Sequence, residues 1–284
     1  MNVLTFDIEE WFHILDNRST RSCSEWERFE SRIEANMPRL LDLLAGMEQK
    51  ATFFCLGWIA EKHPAIVREI DGLGHEIGTH SHMHQLVYSQ SRKEFKADLE
   101  RSVKTLEDLT GKKVRSYRAP GFSITGKTPW AFETLCDFGI EVDCSIFAAR
   151  RSHGGFGDFP WRGPCRIRSR GGMIKEFPVC PFEAGPFRVV FSGGGYFRIM
   201  PYGLIRRMMK RLDYTMVYLH YRDFDFGQRV IEDLPLHRKF KSYVGIRGAF
   251  RKLQNLLSEF EFTDLRTAEG LIDWESAPVM DVNS

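Results

Sequence analysis

Apolar positions in the first half of the chain alternate between two periods. Val3–Ile8 reads as an opening strand. Ile33–Met47 then carries Ile33, Met37, Leu40, Leu41 and Leu44 at helical spacing, with Gly46 marking its end. Ala51–Leu56 is a second buried strand, followed by a single helix near Ile59–Leu73 with Pro64 in its early turns. Glu76–Thr79 reads as a third strand. Ser91–Leu109 is the clearest amphipathic helix: Phe95, Leu99, Val103 and Leu106 share a face, and Gly111 stops it. Val114–Tyr117 is a fourth strand, Pro129–Phe138 a helix ended by Gly139, and Ile140–Cys144 a fifth strand. Such alternation predicts parallel strands with helices outside.

The pattern then loosens. Arg150–Gly195 is rich in Gly, Pro and Arg and predicts long loops with short strands, Met173–Phe177 among them. The run Ser192-Gly-Gly-Gly195-Tyr-Phe197 predicts a flexible, substrate-shaping loop; it lacks the spacing and the lysine of a phosphate cradle. Thr215–His220 is a late apolar strand, Gly245–Phe260 an amphipathic helix, and Phe260–Leu265 closes the fold, with a frayed tail from about Ser276. No repeat or long linker divides the chain. The expectation is one domain over 1–284, with a loop-rich insert at about 150–197 and an extension at about 243–275.

Bulk properties narrow the classes. With 43% hydrophobic and 27% charged residues, the 284-residue chain has the composition of a globular enzyme. A net charge of +2 gives no argument for a nucleic-acid partner. The dense basic runs at Arg166–Arg170 and Arg206–Arg211 read as solvated faces. No apolar run reaches the roughly 18–20 residues of a membrane span. Charges follow Met1 closely, which predicts a soluble cytoplasmic protein without a signal peptide. Six cysteines without a C-x-x-C pair predict free thiols, Cys55 and Cys144 being core filler.

Candidate chemistry sits at predicted strand ends: Asp7 and Glu9, His80, Arg118, Asp143. In an α/β barrel those ends share one mouth. His80 and His84 are four apart, so on a helical turn both imidazoles reach one ion. Strand alternation puts Asp7 and Glu9 on one face. Two adjacent carboxylates are costly unless a cation or a division of roles separates them. Glu10 points the other way, where an acidic strand end in water explains it. Two histidines and one carboxylate leave a metal with open positions, as in a catalytic site. The second carboxylate can then be a general base, and His220, ending the late strand, an acid.

Thr5-Phe6-Asp7-Ile8-Glu9, His80-Ser-His82-Met-His84, Arg118-Ala-Pro120-Gly-Phe122, Asp143-Cys-Ser145 and Leu219-His220 together resemble the motifs of the polysaccharide deacetylases, carbohydrate esterase family four, also called the NodB-homology family. The resemblance runs from about Val3 to Tyr221. It departs from the commonest pattern in separating the two acids by one residue, as one branch of the family does. Phe6-Asp-Ile-Glu-Glu-Trp-Phe-His13, Arg118 to Ile124 and Gly193 to Arg198 resemble a subgroup found with bacterial exopolysaccharide and O-antigen synthesis, in which Tyr221 would more often be proline.

This resemblance implies an α/β fold, an incomplete (β/α) barrel of about seven strands. It implies a divalent metal on Glu9, His80 and His84, zinc first, with cobalt, nickel or iron as alternatives. Asp7 would be the base, Arg118 the residue holding it, Asp143 a support for that network, and His220 the acid. A backbone N–H of Pro120–Phe122 would help hold the oxyanion. Trp11, Trp161, Tyr196 and Phe197 are candidates to stack on a sugar, with Pro120, Gly121 and Phe122 shaping its site. The implied reaction is removal of an N-acetyl group from an amino sugar or polysaccharide precursor. The alternatives are a metal-free allantoinase-like amidohydrolase and a catalytically silent glycan-binding or assembly protein. The oligomeric state stays open, a homo-oligomer included.

Overall fold

The computed structural model describes residues 1–151 and 153–283. Eleven strands occur among them: β1 (Asn2–Ile8), β2 (Thr52–Cys55), β3 (Glu76–Thr79), β4 (Ser116–Tyr117), β5 (Val142–Asp143), β6 (Cys165–Ser169), β7 (Gly172–Glu176), β8 (Phe182–Ala184), β9 (Phe187–Val189), β10 (Thr215–His220) and β11 (Val279–Asp281). Nine form one sheet in the order β10-β1-β2-β3-β4-β5-β7-β6-β11. The seven from β10 to β7 are all parallel. β6 runs antiparallel to β7, and β11 lies along β6. The expected seven-stranded incomplete barrel is therefore present, with two further strands extending one edge.

The longer helices cover the sheet by burying one apolar stripe each. Helix Arg92–Thr110 buries Phe95, Leu99, Val103 and Leu106. Its first turn is closed by a capping box between Ser91 and Glu94, its last by Gly111 in the left-handed region (φ 67°). Full burial of side chains of this size stabilises by about 1.5–3 kcal/mol each, and Leu99→Ala would cost about 2–5 kcal/mol once the cavity is included. The main core joins Leu4, Phe53 and Leu99 to Ile167, Leu219 and Leu253, so early and late segments share one interior. Cys55 is buried in it and Cys144 in a second, smaller cluster, and all six cysteines are free.

Four expectations change. The single helix after β2 is two, Gly57–Lys62 and Pro64–Gly72. Proline lacks an N–H and clashes with the preceding turn, so it starts a new helix instead of continuing the old one. The Gly193–Gly195 run is not a flexible loop. It leads into a short helix, Gly194–Ile199, and a Cβ on Gly193 would lie 2.2 Å from the Tyr218 ring. Glycine is needed there for close approach to β10, with which Gly193 forms a bridge. The predicted insert contains β6 and β7 of the main sheet, along with the β8–β9 hairpin. The predicted frayed tail pairs instead as β11, with Val279 opposite Arg166. Among the described residues, no helix is long and apolar enough to cross a membrane.

Candidate active site

β1, β3, β4 and β10 end on the same edge of the sheet, and each delivers one side chain or more. Asp7 lies opposite His220 in the β1–β10 register. Asp7 and Glu9 are both buried on one side of the chain. Glu10 is buried too, so the solvated reading fails. Its carboxylate accepts from the backbone N–H groups of Arg32 (2.8 Å) and Ile33 (3.0 Å), at the start of helix Ile33–Gly46, and from Tyr221 Oη (2.5 Å). A carboxylate at a helix start satisfies orphan donors and meets the positive end of the helix dipole.

His80 to His84 is not a helical turn. Ser81 (φ 72°) and His84 (φ 50°) are both left-handed, which folds the segment into a tight loop. Asp98, on helix Arg92–Thr110, pins it by accepting from His82 N (2.7 Å) and Met83 N (2.8 Å), and Ser81 Oγ accepts from His84 N (3.1 Å). The loop brings the His80 and His84 rings to 5.3 Å between centroids. One ligand atom from each of Glu9, His80 and His84 lies within 4.8 Å of the others, and all three residues are buried. His84 Nε2 is 2.5 Å from Glu9 Oε2. His80 Nδ1 donates to the carbonyl of Arg118 (2.7 Å), which fixes the tautomer and leaves Nε2 for an ion. The donor set and its outer hydrogen bond fit a divalent metal.

Beside this cluster stand a carboxylate, Asp7, and an imidazole, His220. Arg118, fully buried, donates through Nη1 to Asp7 Oδ1 (2.7 Å) and stacks 4.3 Å from the Phe54 ring. Burial raises the Asp7 pKa, but Arg118 and then His80 and His220 outweigh it and hold the carboxyl below its ordinary value. His220 Nδ1 donates to Asp223 Oδ2 (3.1 Å), so Nε2 faces Asp7 (3.8 Å) and Glu9 (3.6 Å). Burial lowers the His220 pKa, but Glu9 and Asp223 outweigh it, and the net direction is upward. Arg198 anchors Asp223 from the other side at 3.1 Å.

The comparisons with known proteins separate the chain into two parts. Residues 3–135 match the polysaccharide deacetylase family, and residues 144–269 match a domain of unknown function, DUF3473. A peptidoglycan-N-acetylglucosamine deacetylase of Bacillus cereus is 35% identical over 34% of this chain and 35% of its own length. A peptidoglycan deacetylase of Helicobacter pylori is 32% identical over 40% of this chain and 38% of its own. The chain thus spans little more than a third of these relatives. In fold, it is similar to a Mycobacterium smegmatis protein assigned to the polysaccharide deacetylases, with a TM-score of 0.65 at 19% identity over 95% of this chain and 89% of that one.

Asp7, Glu9, His80, His84 and Arg118 come from the segment that matches the family model. His220, Arg222 and Asp223 come from the DUF3473 segment. A cleft of about 420 Å³ lies between them; Asp7, Glu9, His80, His84 and His220 line it, as do Gly121 and Phe122. Pro120 is buried behind it. Of that turn, proline has no N–H and Phe122 N donates to Ala119 O (3.0 Å), which leaves Gly121 to offer one.

The stacking candidates fare differently. Trp11 is 1% exposed and its indole N–H donates to Glu30 O (3.0 Å), so it cannot meet a sugar. Phe197 is fully buried, and Trp161 packs on Phe159 (5.4 Å) away from the cleft. Tyr196 is 45% exposed, with its ring 5.8 Å from the Arg151 guanidinium, beside the cleft but not lining it. Asp143 lies behind the cleft. It accepts from Ser145 Oγ (2.6 Å), and Ser145 Oγ in turn accepts from Ala119 N (2.8 Å), so it positions the strand end that carries Arg118.

Sequence reasoning missed Arg222, whose Nε is 3.2 Å from Glu9 Oε1. It also missed Arg198, Asp223, and Glu176, which lies opposite Asp143 in the β5–β7 register. His13 was only part of a motif. Its Nδ1 accepts from Glu10 N (3.1 Å), so its neutral ring carries the proton on Nε2, which is buried without a protein partner on the cleft wall. The i,i+3 spacing of His220 and Asp223 was the one available signal for a histidine partner.

Proposed function

We propose that this protein is a metal-dependent hydrolase that removes the N-acetyl group from an amino sugar of a bacterial surface polysaccharide or exopolysaccharide, or of its precursor, releasing acetate. One observation carries the reading: a carboxyl whose pKa is held down by Arg118 (Asp7) and an imidazole whose pKa is pushed up by Glu9 and Asp223 (His220) flank the Glu9, His80, His84 cluster in one cleft. A catalytically silent binder has no use for that opposed pair. The curated relatives named for peptidoglycan and for chitooligosaccharide deacetylation support N-acetylglucosamine chemistry.

When bound, a divalent ion on Glu9, His80 and His84 supplies Lewis acidity toward the amide oxygen and acidifies a water; the mixed nitrogen and oxygen donors favour zinc. The rest falls to the chain. Asp7 Oδ1 is occupied by Arg118, so Oδ2 takes the proton of the attacking water. The new C–O bond makes a tetrahedral carbon, whose oxyanion the Gly121 N–H helps to hold. As the C–N bond breaks, His220 Nε2 gives its proton to the departing amine, and Asp223 steadies the imidazole through Nδ1. Water is thereby divided between acetate and the free amine.

The test is acetate release from N-acetylglucosamine oligomers before and after chelation, and after zinc is restored. Loss with chelator and recovery with zinc are expected. Acetate release that survives both chelation and Asp7→Asn would sink the reading.

A further inference from the structure

We propose that the outer wall of the cleft is a subsite for a phosphoryl group, so that the acetamido sugar taken here is phosphate- or diphosphate-linked and not a neutral polymer. The inference rests on the deacetylase reading of the same cleft. Arg151, Arg238 and Lys241 line the wall, and Asp16 is the one carboxylate among them. Asp16 already pairs with His153 at 3.0 Å. The floor carboxylates are answered separately, Asp7 by Arg118 and Glu9 by His84 and Arg222. Among the described residues, no carboxylate lies within salt-bridge distance of Arg151, Arg238 or Lys241. Three cations against one carboxylate, in a chain whose formal charge is only +2, is a local surplus.

Two of these cations are held in place by neutral groups. Arg151 donates to Tyr218 Oη (3.1 Å), with its guanidinium 4.2 Å from the Phe147 ring. Arg238 donates to the Asp16 carbonyl (2.7 Å) and to the Leu15 carbonyl. Their charge is therefore fixed but not neutralised. Lysine and arginine carry donors and no acceptor. A neutral sugar's hydroxyls both donate and accept, and a wall of donors satisfies them poorly. A phosphoryl group only accepts, carries the complementary charge, and matches the guanidinium fork.

The test compares kcat/KM for acetate release from N-acetylglucosamine 1-phosphate, UDP-N-acetylglucosamine, a prenyl-diphosphate-linked N-acetylglucosamine, N-acetylmuramic acid and neutral chitotetraose. Binding of N-acetylglucosamine 1-phosphate to Asp7→Asn protein is measured alongside. The phosphorylated compounds should lead the neutral one by about tenfold or more, and added salt should erode that lead. Arg151→Gln and Lys241→Gln should each lower the phosphorylated-to-neutral ratio about three- to tenfold, the range for one half-exposed charged contact. Lys241 is exposed and, among the described residues, its side chain makes no hydrogen bond or ion pair, so its variant keeps the fold. A lead by either the nucleotide or the prenyl substrate supports the subsite, and the faster of the two identifies the carrier. Chitotetraose or N-acetylmuramic acid used best, or a ratio indifferent to both variants, overturns the subsite while leaving deacetylation standing. No acetate from any compound, with Lys241-dependent binding of the sugar phosphate intact, overturns deacetylation and leaves the subsite standing.

Discussion

Residues 3–135 and 144–269 meet in one sheet but contribute unlike things to it. The first segment brings the three candidate metal ligands, the proposed base and the arginine that holds it. The second brings the proposed acid, its partners, and most of the charged cleft wall. β10 of the second segment pairs directly with β1 of the first, and this puts Asp7 beside His220. The comparison teaches a division of labour. On the proposed mechanism, water activation is built on the segment that matches the deacetylase family model, and leaving-group protonation and substrate choice on the segment that matches DUF3473.

The division is broken most severely from the first side. His80→Ala or His84→Ala should remove bound metal and abolish activity on every substrate, while Tm changes little. Metal content by elemental analysis decides this; a His84→Ala protein with full metal would remove His84 from the ligand set. Asp7→Asn should come next. It should keep the metal and lose about 10²–10⁴ in rate, the range for one general base. Metal loss in Asp7→Asn would instead exchange the roles of Asp7 and Glu9.

From the second side the effect should depend on substrate. His220→Ala should slow an amide strongly but an activated ester much less, since the ester's leaving group needs no proton. Metal content should not change. Asp223→Asn should act in the same direction with a smaller loss, because it removes the group steadying His220 Nδ1 while leaving the imidazole in place. Equal losses on ester and amide would make His220 part of water activation, and the two segments would not divide as described.

The same two segments differ in how legible they were. Up to Asp143, periodicity placed all five strands and the helices Ile33–Gly46, Arg92–Thr110 and Trp130–Asp137, but it merged Gly57–Lys62 with Pro64–Gly72 and missed the short Cys23–Trp26, too brief to show a period. Asp7, Glu9, His80, His84 and Arg118 were readable because strand ends converge by topology. In the later segment, Gly193 and β11 were misread because both depend on what lies across space: the Tyr218 ring for one, the free edge of β6 for the other. Trp11 was misassigned because a tryptophan near a catalytic motif looks the same in sequence whether it faces a cleft or a core. Arg222 carried no signal, and Arg198 entered only as the end of a resemblance motif. Their roles exist only through distances to Glu9 and Asp223 that no local pattern encodes.

The seam between the segments offers the smallest and cleanest prediction. Asp143 ends β5, and Glu176 lies opposite it on β7, both fully buried. Glu176 Oε1 accepts from Ile146 N (3.1 Å), while among the described residues Oε2 has no partner but the Asp143 carboxyl, with which it can hydrogen-bond only if one of the two is protonated. Burial first, then the charge of Asp143, pushes the Glu176 pKa well above its ordinary 4.5. A raised folded-state pKa means the native protein binds the proton more tightly than the unfolded chain. The stability contributed is complete below about pH 4.5 and is lost as pH rises through the folded value. Glu176→Gln keeps an amide donor for Asp143 and an acceptor for Ile146 N, and cannot ionise. Its Tm should therefore fall less than that of the parent between pH 5 and 8, the gap widening with pH. Scanning calorimetry at several pH values checks this. Parallel curves would mean that Glu176 is ionised in the fold, and that the seam is held without a shared proton.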